Sequence, residues 1–320
     1  MPASSANATV LSVVVPMYNE ADNVGELYVQ VKATLERLGE PWEIVCVNDG
    51  SSDATLAHLV KLHLADTRLK VVNLSRNFGK EIALTAGIDH ACGQAVIPID
   101  GDLQDPPELI AELVAKWREG YDVVNATRRS RQGESWFKRA TARGFYSLLE
   151  KMADIPIPRN TGDFRLLARP AVDALKSMPE RTRFMKGMFA WVGFKQTAVI
   201  YDRHPRRAGL TKWSYWRLWN LAIGGIVSFS TVPLRVWSYF GLGVAMLAFM
   251  YGLFLIVRTM LYGIDLPGYA SLMVVVLFLG GVQLITLGVL GEYLGRIYDE
   301  IKQRPLYIVR DYYGIKAVAD

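Results

Sequence analysis

Cysteine is close to absent from this chain: Cys46 and Cys92 are the two thiols in 320 residues. Two cysteines in or beside apolar runs build no disulfide framework, and they read as core filling rather than as a metal site. Glycine-rich phosphate loops are missing too. No G-x-G-x-x-G follows the first apolar run and G-x-x-x-x-G-K-[ST] occurs nowhere, which disfavours a nicotinamide-binding crossover and a P-loop. The opening MPASSANATV lacks a basic segment followed by an apolar one, so no signal peptide is expected. Charge is missing from two long stretches: 22 positions from Val236 to Val257 and 26 from Leu266 to Gly291. At about 1.5 Å per residue, each stretch covers the ~30 Å core of a bilayer. Buried helices of a soluble protein are normally shorter and carry a polar face. A transmembrane hairpin is the expectation.

The charges that are present orient it. Arg206, Arg207, Lys212, Arg217 and Arg235 precede the hairpin, Arg296, Lys302, Arg304 and Arg310 follow it, and the connection between the spans holds only Arg258. By the positive-inside rule both ends face the cytoplasm. The first 200 residues are then cytosolic, and the expected location is the inner (cytoplasmic) membrane, crossed twice. The net charge of +5 suits an anionic membrane surface and anionic ligands. Its basic residues gather toward the membrane rather than along a soluble face with interleaved aromatics, so no nucleic-acid partner is expected. Trp213, Tyr215, Trp216 and Trp219, with Lys212 and Arg217, suit an interfacial helix, or pack the soluble part against the hairpin.

The first 200 residues alternate between two periods. Leu11 to Val15, Glu43 to Val47, Val71 to Leu74, Ala95 to Ile99 and Asp122 to Ala126 read as strands. Between them lie helical patterns: Val24, Leu27, Val31, Leu35 and Leu38 in the first, Glu81 to Ala91 in another, and Glu108 to Glu119 with Leu109, Leu113 and Trp117 inward. Such alternation predicts an α/β fold with a mostly parallel sheet covered on both faces. Ligands of such sheets bind at the carboxyl ends of the strands. Acids recur there, in Pro16-Met17-Tyr18-Asn19-Glu20, in Asn48-Asp49-Gly50-Ser51-Ser52-Asp53 and in Asp100-Gly101-Asp102. Two carboxylates two residues apart on a turn suit one hard cation, since Mg²⁺ or Mn²⁺ takes one or two carboxylates plus substrate phosphate oxygens. Such an ion neutralises charge on a departing diphosphate. A solvated acidic turn is the rival for D-x-D alone; its place among acidic strand ends favours the ion. Pro106 and Pro107 then open the next helix, where a missing N–H costs little.

Six blocks in order carry a resemblance: VVVPMYNE (13 to 20), VNDGSSD (47 to 53), DGDLQDPPE (100 to 108), NTGDFRLLAR (160 to 169), RRAGLTKWS (206 to 214) and LGEYLGRIYDEIKQRP (290 to 305). They resemble the bacterial polyprenyl-phosphate glycosyltransferases of glycosyltransferase family 2, bactoprenol glucosyltransferases among them, which are related to the dolichol-phosphate mannose synthases. The likeness covers nearly the whole chain. It implies a GT-A domain over residues 1–212, interfacial helices over 213–232, two transmembrane helices over 233–292 and a cytosolic tail over 293–320. It also implies inverting transfer of one sugar from a nucleotide sugar to a membrane-embedded polyprenyl phosphate. Carried over by motif, Pro16, Tyr18, Glu20, Asp49 and Asp100 hold the nucleotide sugar, and Asp100, Asp102 and Gln104 form the metal and diphosphate site. Arg128, Arg207 and Lys212 bind phosphate. Asp102 and Asp163 are the catalytic candidates. Two departures are Asn48, where relatives often have an Asp, and Thr211 for a common Ser.

Bland rivals remain beside these roles. Capping of the following helix is the rival for Asp49 and Asp53, ligand binding fitting Asp49 better and capping fitting Asp53. Packing is the rival for Tyr18, and Arg129, Arg131, Lys138, Arg139 and Arg143 fit a solvated face. Asp163 is either a base, an acceptor-orienting acid or a structural partner of Arg165. An acceptor phosphate monoester, with a second pKa of about 6, arrives largely deprotonated, which weakens the case for a base. A processive polysaccharide synthase on the same fold usually shows Q-x-x-R-W; this chain has no Arg-Trp dipeptide and one hairpin. A non-enzymatic nucleotide-sugar-binding membrane component is the other alternative. UDP-glucose is the expected donor. Pocket contacts set sugar choice, so UDP-N-acetylglucosamine, a UDP-aminoarabinose derivative and GDP-mannose stay open, as does a homo-oligomeric state.

Overall fold

The computed structural model describes residues 9–129, 161–178, 180–181, 183, 185–202, 232–263 and 268–315. Its centre is a single eight-stranded sheet. Leu11–Met17 (β1) pairs in parallel with Trp42–Asn48 (β2) and with Ala95–Pro98 (β4), and β2 pairs in parallel with Leu69–Leu74 (β3). Thr161–Ala168 (β6) runs antiparallel between β4 and Val123–Arg128 (β5), and Gln196–Tyr201 (β7) lies parallel to β5. Val309–Tyr313 (β8) closes the other side, antiparallel to β3. The order is β7-β5-β6-β4-β1-β2-β3-β8.

Period-two alternation divides the strands between two cores. Val13, Val15, Ile44 and Cys46 face one side, against Leu27, Val31 and Leu35 of Ala21–Leu38 (α1), Leu59 of Thr55–Ala65 (α2) and Leu113 of Ile110–Arg118 (α4). Val14, Val45, Val47 and Val72 face the other. They pack on Lys80–His90 (α3), Arg169–Ser177 (α5) and Met185–Trp191 (α6). Each fully buried Val or Leu contributes roughly 1.5–3 kcal/mol, so the two layers together fix the sheet and hence the edge where its strands end.

The sequence-based strands and α1 lie where the periodicity places them. The expected helix over 108–119 divides into a 3₁₀ turn, Pro107–Leu109, and α4. Two thiols were expected in the core; Cys46 is there, its thiol pushed up to about 12 by burial, whereas Cys92 is exposed. The sheet is also more mixed than expected. β6 is antiparallel, and this reversal has a consequence for chemistry: it starts at the edge where β4 and β5 end.

Val232–Tyr262 (α7) and Tyr269–Ile301 (α8) form the apolar hairpin, with windows Tyr239–Tyr262 and Val274–Ile301 long and apolar enough to cross a membrane. Large apolar side chains such as Phe249, Leu272 and Leu284 are exposed along both, a surface of the kind that marks a membrane or protein contact. The described part of the segment after the hairpin bonds back to the sheet layer. The Arg181 N–H donates to Glu300 Oε1 at 2.8 Å, Tyr307 OH to Asp89 Oδ2 at 2.9 Å and the Ser75 N–H to the Ile308 carbonyl at 2.9 Å. The chain then enters β8 opposite the carboxyl end of β3.

Gly87 of α3 sits where the helix meets the sheet. A Cβ there would lie 2.2 Å from Val14 Cγ1 and 3.1 Å from Val47 Cγ2, both on fully buried β-branched side chains. Overpacking of this kind costs about 1–3 kcal/mol, while alanine gains only ~1 kcal/mol of helix propensity over glycine. Gly87→Ala should therefore lower the thermal midpoint of the detergent-solubilised protein. A midpoint equal to or above that of the unchanged protein would contradict the packing described.

Candidate active site

The six strands β1, β2, β3, β4, β5 and β7 end at one edge, and β6 begins there. The β4–β6 register sets Ala95 opposite Ala168 and Val96 opposite Leu167. Continued to the strand end, it faces Asp100 with Asp163. Lys80 joins them: its ammonium lies 2.6 Å from Asp100 Oδ1 and 2.6 Å from Asp163 Oδ2. Burial opposes a charge on Lys80, but the two carboxylates outweigh it and hold the ammonium above its ordinary pKa. Burial pushes the Asp100 carboxyl up, and Asp163 and Asp105 push the same way against Lys80.

The D-x-D turn is tightly wound. The Gln104 N–H donates to Asp102 Oδ1 at 3.2 Å, and Leu103 between them adopts φ +57°, an uncommon conformation for a leucine. Such strain concentrates at functional sites. Asp105 is almost fully buried, accepts a hydrogen bond from Tyr201 OH and lies 3.7 Å from Arg128 Nη2. Arg128 also donates Nε to Tyr201 OH at 3.3 Å, and its guanidinium passes close to Gly162, where a Cβ would stand 3.0 Å from Nη2. Burial disfavours the Arg128 charge, but Tyr201, Asp105 and Asp100 reverse that and raise its pKa. The structure thus brings Asp100, Asp102, Gln104, Arg128 and Asp163 to one edge, as the sequence led us to expect.

Asp49 is tied into the fold by backbone hydrogen bonds. It is 2% exposed, and its two oxygens accept from the backbone N–H groups of Phe78 at 2.7 Å and Gly79 at 2.9 Å. Its carboxylate braces the loop before Lys80. Gly50 belongs to the same contact: at φ +64°, a Cβ would fall 2.4 Å from Arg76 C and 2.5 Å from Asn77 N. The β1 and β2 loops are laced as well. The Asn19 N–H donates to Ser51 Oγ at 3.0 Å, and Asn19 Oδ1 accepts from the Ser52 N–H at 2.8 Å. Asp53 caps, as expected, accepting from the Thr55 and Ala21 N–H groups at 3.0 and 3.2 Å. Pro16 is half-buried, Tyr18 is exposed, and Glu20 Oε2 accepts from Asn23 Nδ2 at 2.6 Å.

Asn48, the departure noted in the second block, donates Nδ2 to Asn73 Oδ1 at 2.8 Å, and Asn73 donates Nδ2 to Asp311 Oδ2 at 2.7 Å. With Asp311 taking the Asn73 N–H, the Asn73 oxygen needs a donor at position 48, which an ionised Asp could not supply. Arg165 is buried, donates Nη2 to the Gly162 carbonyl at 2.7 Å and stacks on Phe189 at 4.0 Å, and burial lowers its pKa to about 10. Asp163 takes its ion pair from Lys80 instead. Arg207 and Lys212 lie outside the described residues.

Lys80, Asn19, Asp105 and Tyr201 also lie at this edge and were not among the residues the motifs pointed to. Lys80 had a signal of its own: a cation in the first turn of a helix opposes the helix dipole and needs a local anion to justify it. Among the described residues no cluster of three or more acids, histidines or cysteines forms a ready metal cage. Two carboxylates on one turn nevertheless match what Mg²⁺ or Mn²⁺ requires when substrate phosphate supplies further oxygens.

Comparison with known proteins agrees with this geometry. Residues 12–176 match glycosyl transferase family 2, and residues 232–297 match the GtrB C-terminal hairpin. Over 306 residues the chain is 61% identical to an uncharacterized glycosyltransferase of Synechocystis sp., with 96% of each chain covered. It is 50% identical over 300 residues to the SfII prophage-derived bactoprenol glucosyl transferase of Shigella flexneri, covering 94% of this chain and 97% of that one. A prophage bactoprenol glucosyl transferase homolog of Escherichia coli K12 is likewise 50% identical, over 94% of this chain and 98% of its own. The chain therefore belongs to glycosyl transferase family 2 and is a glycosyltransferase.

Proposed function

We propose that the protein transfers one glucose from UDP-glucose, with inversion, to polyprenyl phosphate at the cytoplasmic membrane face, releasing UDP. The observation that carries this reading is an acid-and-cation edge continuous with an apolar hairpin. Lys80 meets Asp100 and Asp163, and Arg128 meets Asp105, where the strands end beside the D-x-D turn, and the chain leaving α8 enters β8 at that same edge. A lipid-borne acceptor needs its reacting phosphate brought to such a place. The names of the bactoprenol glucosyl transferase relatives favour glucose and a bactoprenol-type lipid.

In this reading Tyr18, exposed at the end of β1, stacks on the nucleobase, with Pro16 and Glu20 beside it. Asp49 acts on the nucleotide through the 75–80 loop it braces. Asp100, Asp102 and Gln104 would hold Mg²⁺ or Mn²⁺, which when bound neutralises charge on the leaving diphosphate. Arg128, with Arg207 and Lys212, binds phosphate. Asp163 orients the acceptor. That acceptor is already ionised above a pH of about 6 and needs no base, so rate enhancement rests on alignment and on charge stabilisation at the diphosphate. The proposed division is a catalytic unit over 1–212 completed by β8, interfacial helices over 213–232 and spans over 233–292. Both termini face the cytoplasm.

Three measurements test the reading. Free UDP should appear from UDP-glucose only when polyprenyl phosphate is present, and EDTA should stop it; release from another nucleotide sugar alone would reassign the donor, and release from none would leave a binding protein. Asp102→Asn should lower turnover at least a hundredfold with the thermal midpoint unchanged, and retained activity would remove the ion site. Asp163→Asn should lower kcat yet leave the acidic limb of the pH profile near the acceptor's second ionisation, at about 6. Loss of that limb would identify Asp163 as a base.

A further inference from the structure

Lys80 is held in place more firmly than a surface lysine needs to be. The backbone just before it is fixed by the buried Asp49 carboxylate, which accepts from Phe78 and Gly79, and Gly79 takes φ +98° to present the next residue. As the first residue of α3, Lys80 stands against the helix dipole. Its ammonium nonetheless reaches two carboxylates, 2.6 Å from each: Asp163 on β6 and Asp100 in the D-x-D turn after β4.

We propose that Lys80 is the resident counterion of this acid pair, a positioning residue that withholds Asp100 from a divalent ion until a nucleotide diphosphate enters, so that ion and nucleotide bind cooperatively. The inference rests on the reading of Asp100 and Asp102 as the ion site. A divalent ion arriving alone must displace a charge-assisted bond at Asp100 and sit beside a fixed positive charge. A diphosphate changes that balance: it offers the ammonium new anionic partners while Asp163 still anchors it, and Asp100 is released. By linkage, the factor by which nucleotide raises ion affinity equals the factor by which the ion raises nucleotide affinity. Lys80 would thereby keep the empty site from filling with an ion in a geometry unsuited to the donor, and it would keep Asp163 at its post throughout.

The test is Mn²⁺ binding by the purified full chain in detergent at about pH 8, read from the electron paramagnetic resonance signal of free Mn²⁺ with and without UDP. Lys80→Met should bind Mn²⁺ about tenfold more tightly than the unchanged protein when UDP is absent, equivalent to ~1.4 kcal/mol. The enhancement produced by UDP should shrink by a similar factor. Lys80→Arg, which keeps the charge, should behave like the unchanged protein. The Lys80 side chain is 45% exposed, so the methionine variant should fold, with its thermal midpoint as the check. Equal or weaker Mn²⁺ binding by Lys80→Met, with binding lost in Asp102→Asn, would overturn the role of Lys80 and leave the ion site standing. Binding that survives Asp102→Asn would overturn the ion site itself and this inference with it.

Discussion

Carboxylates gathered at one edge of a sheet repel one another, and this edge carries Asp100, Asp102, Asp105 and Asp163. Two like charges ~4 Å apart are unfavourable by about 4 kcal/mol even at the effective dielectric of a protein surface. The local architecture answers that repulsion. Lys80 lies between Asp100 and Asp163, while Arg128 and Tyr201 face Asp105. Each cation is in turn held by the fold, Lys80 by the braced loop at the start of α3 and Arg128 by its place at the end of β5. An acid edge balanced in this way can accept a further cation and a diphosphate, whereas an unbalanced one would take up protons instead.

The same sheet ties the chemistry to the hairpin. α3 carries Lys80 at its first turn and Asp89 and His90 at its last, where Tyr307 donates to Asp89 and the His90 ring meets Tyr312 at 5.4 Å. β8 adds the Asn48-Asn73-Asp311 relay. The segment that follows the second apolar helix is thereby bonded to both ends of the catalytic layer. Residues far apart in sequence are held at one edge in this way.

Much of this was legible before any coordinates. The period-two strands, the helical face of Val24, Leu27, Val31 and Leu35, and the charge-free runs rest on patterns that tertiary packing rarely overrides. Acids at strand ends pointed to Asp100 and Asp102 because chain direction alone places such loops on one edge, whereas Asp163 was reached only through the family resemblance of its block. What stayed hidden depended on pairing. β6 and β8 are recognisable only once their antiparallel partners are known; β8, with Arg310 and Asp311 in five residues, does not look like a strand. That Asp49 also braces the loop before Lys80 could not be read from sequence, because its bonds to the Phe78 and Gly79 N–H groups join residues 29 and 30 positions apart. Lys80 escaped because its ion pairs are with carboxylates 20 and 83 residues away.

The most direct test of the central claim is the chemical identity of the lipid product. The purified protein, polyprenyl phosphate and UDP-glucose should be incubated in detergent and the organic phase analysed by mass spectrometry. The account predicts a polyprenyl phosphate carrying one hexose on its phosphate, released as the β-linked product when the donor is α-linked. A lipid recovered unmodified, while UDP accumulates at the same rate without it, would mean that the edge hydrolyses its donor and that the proposed acceptor is wrong.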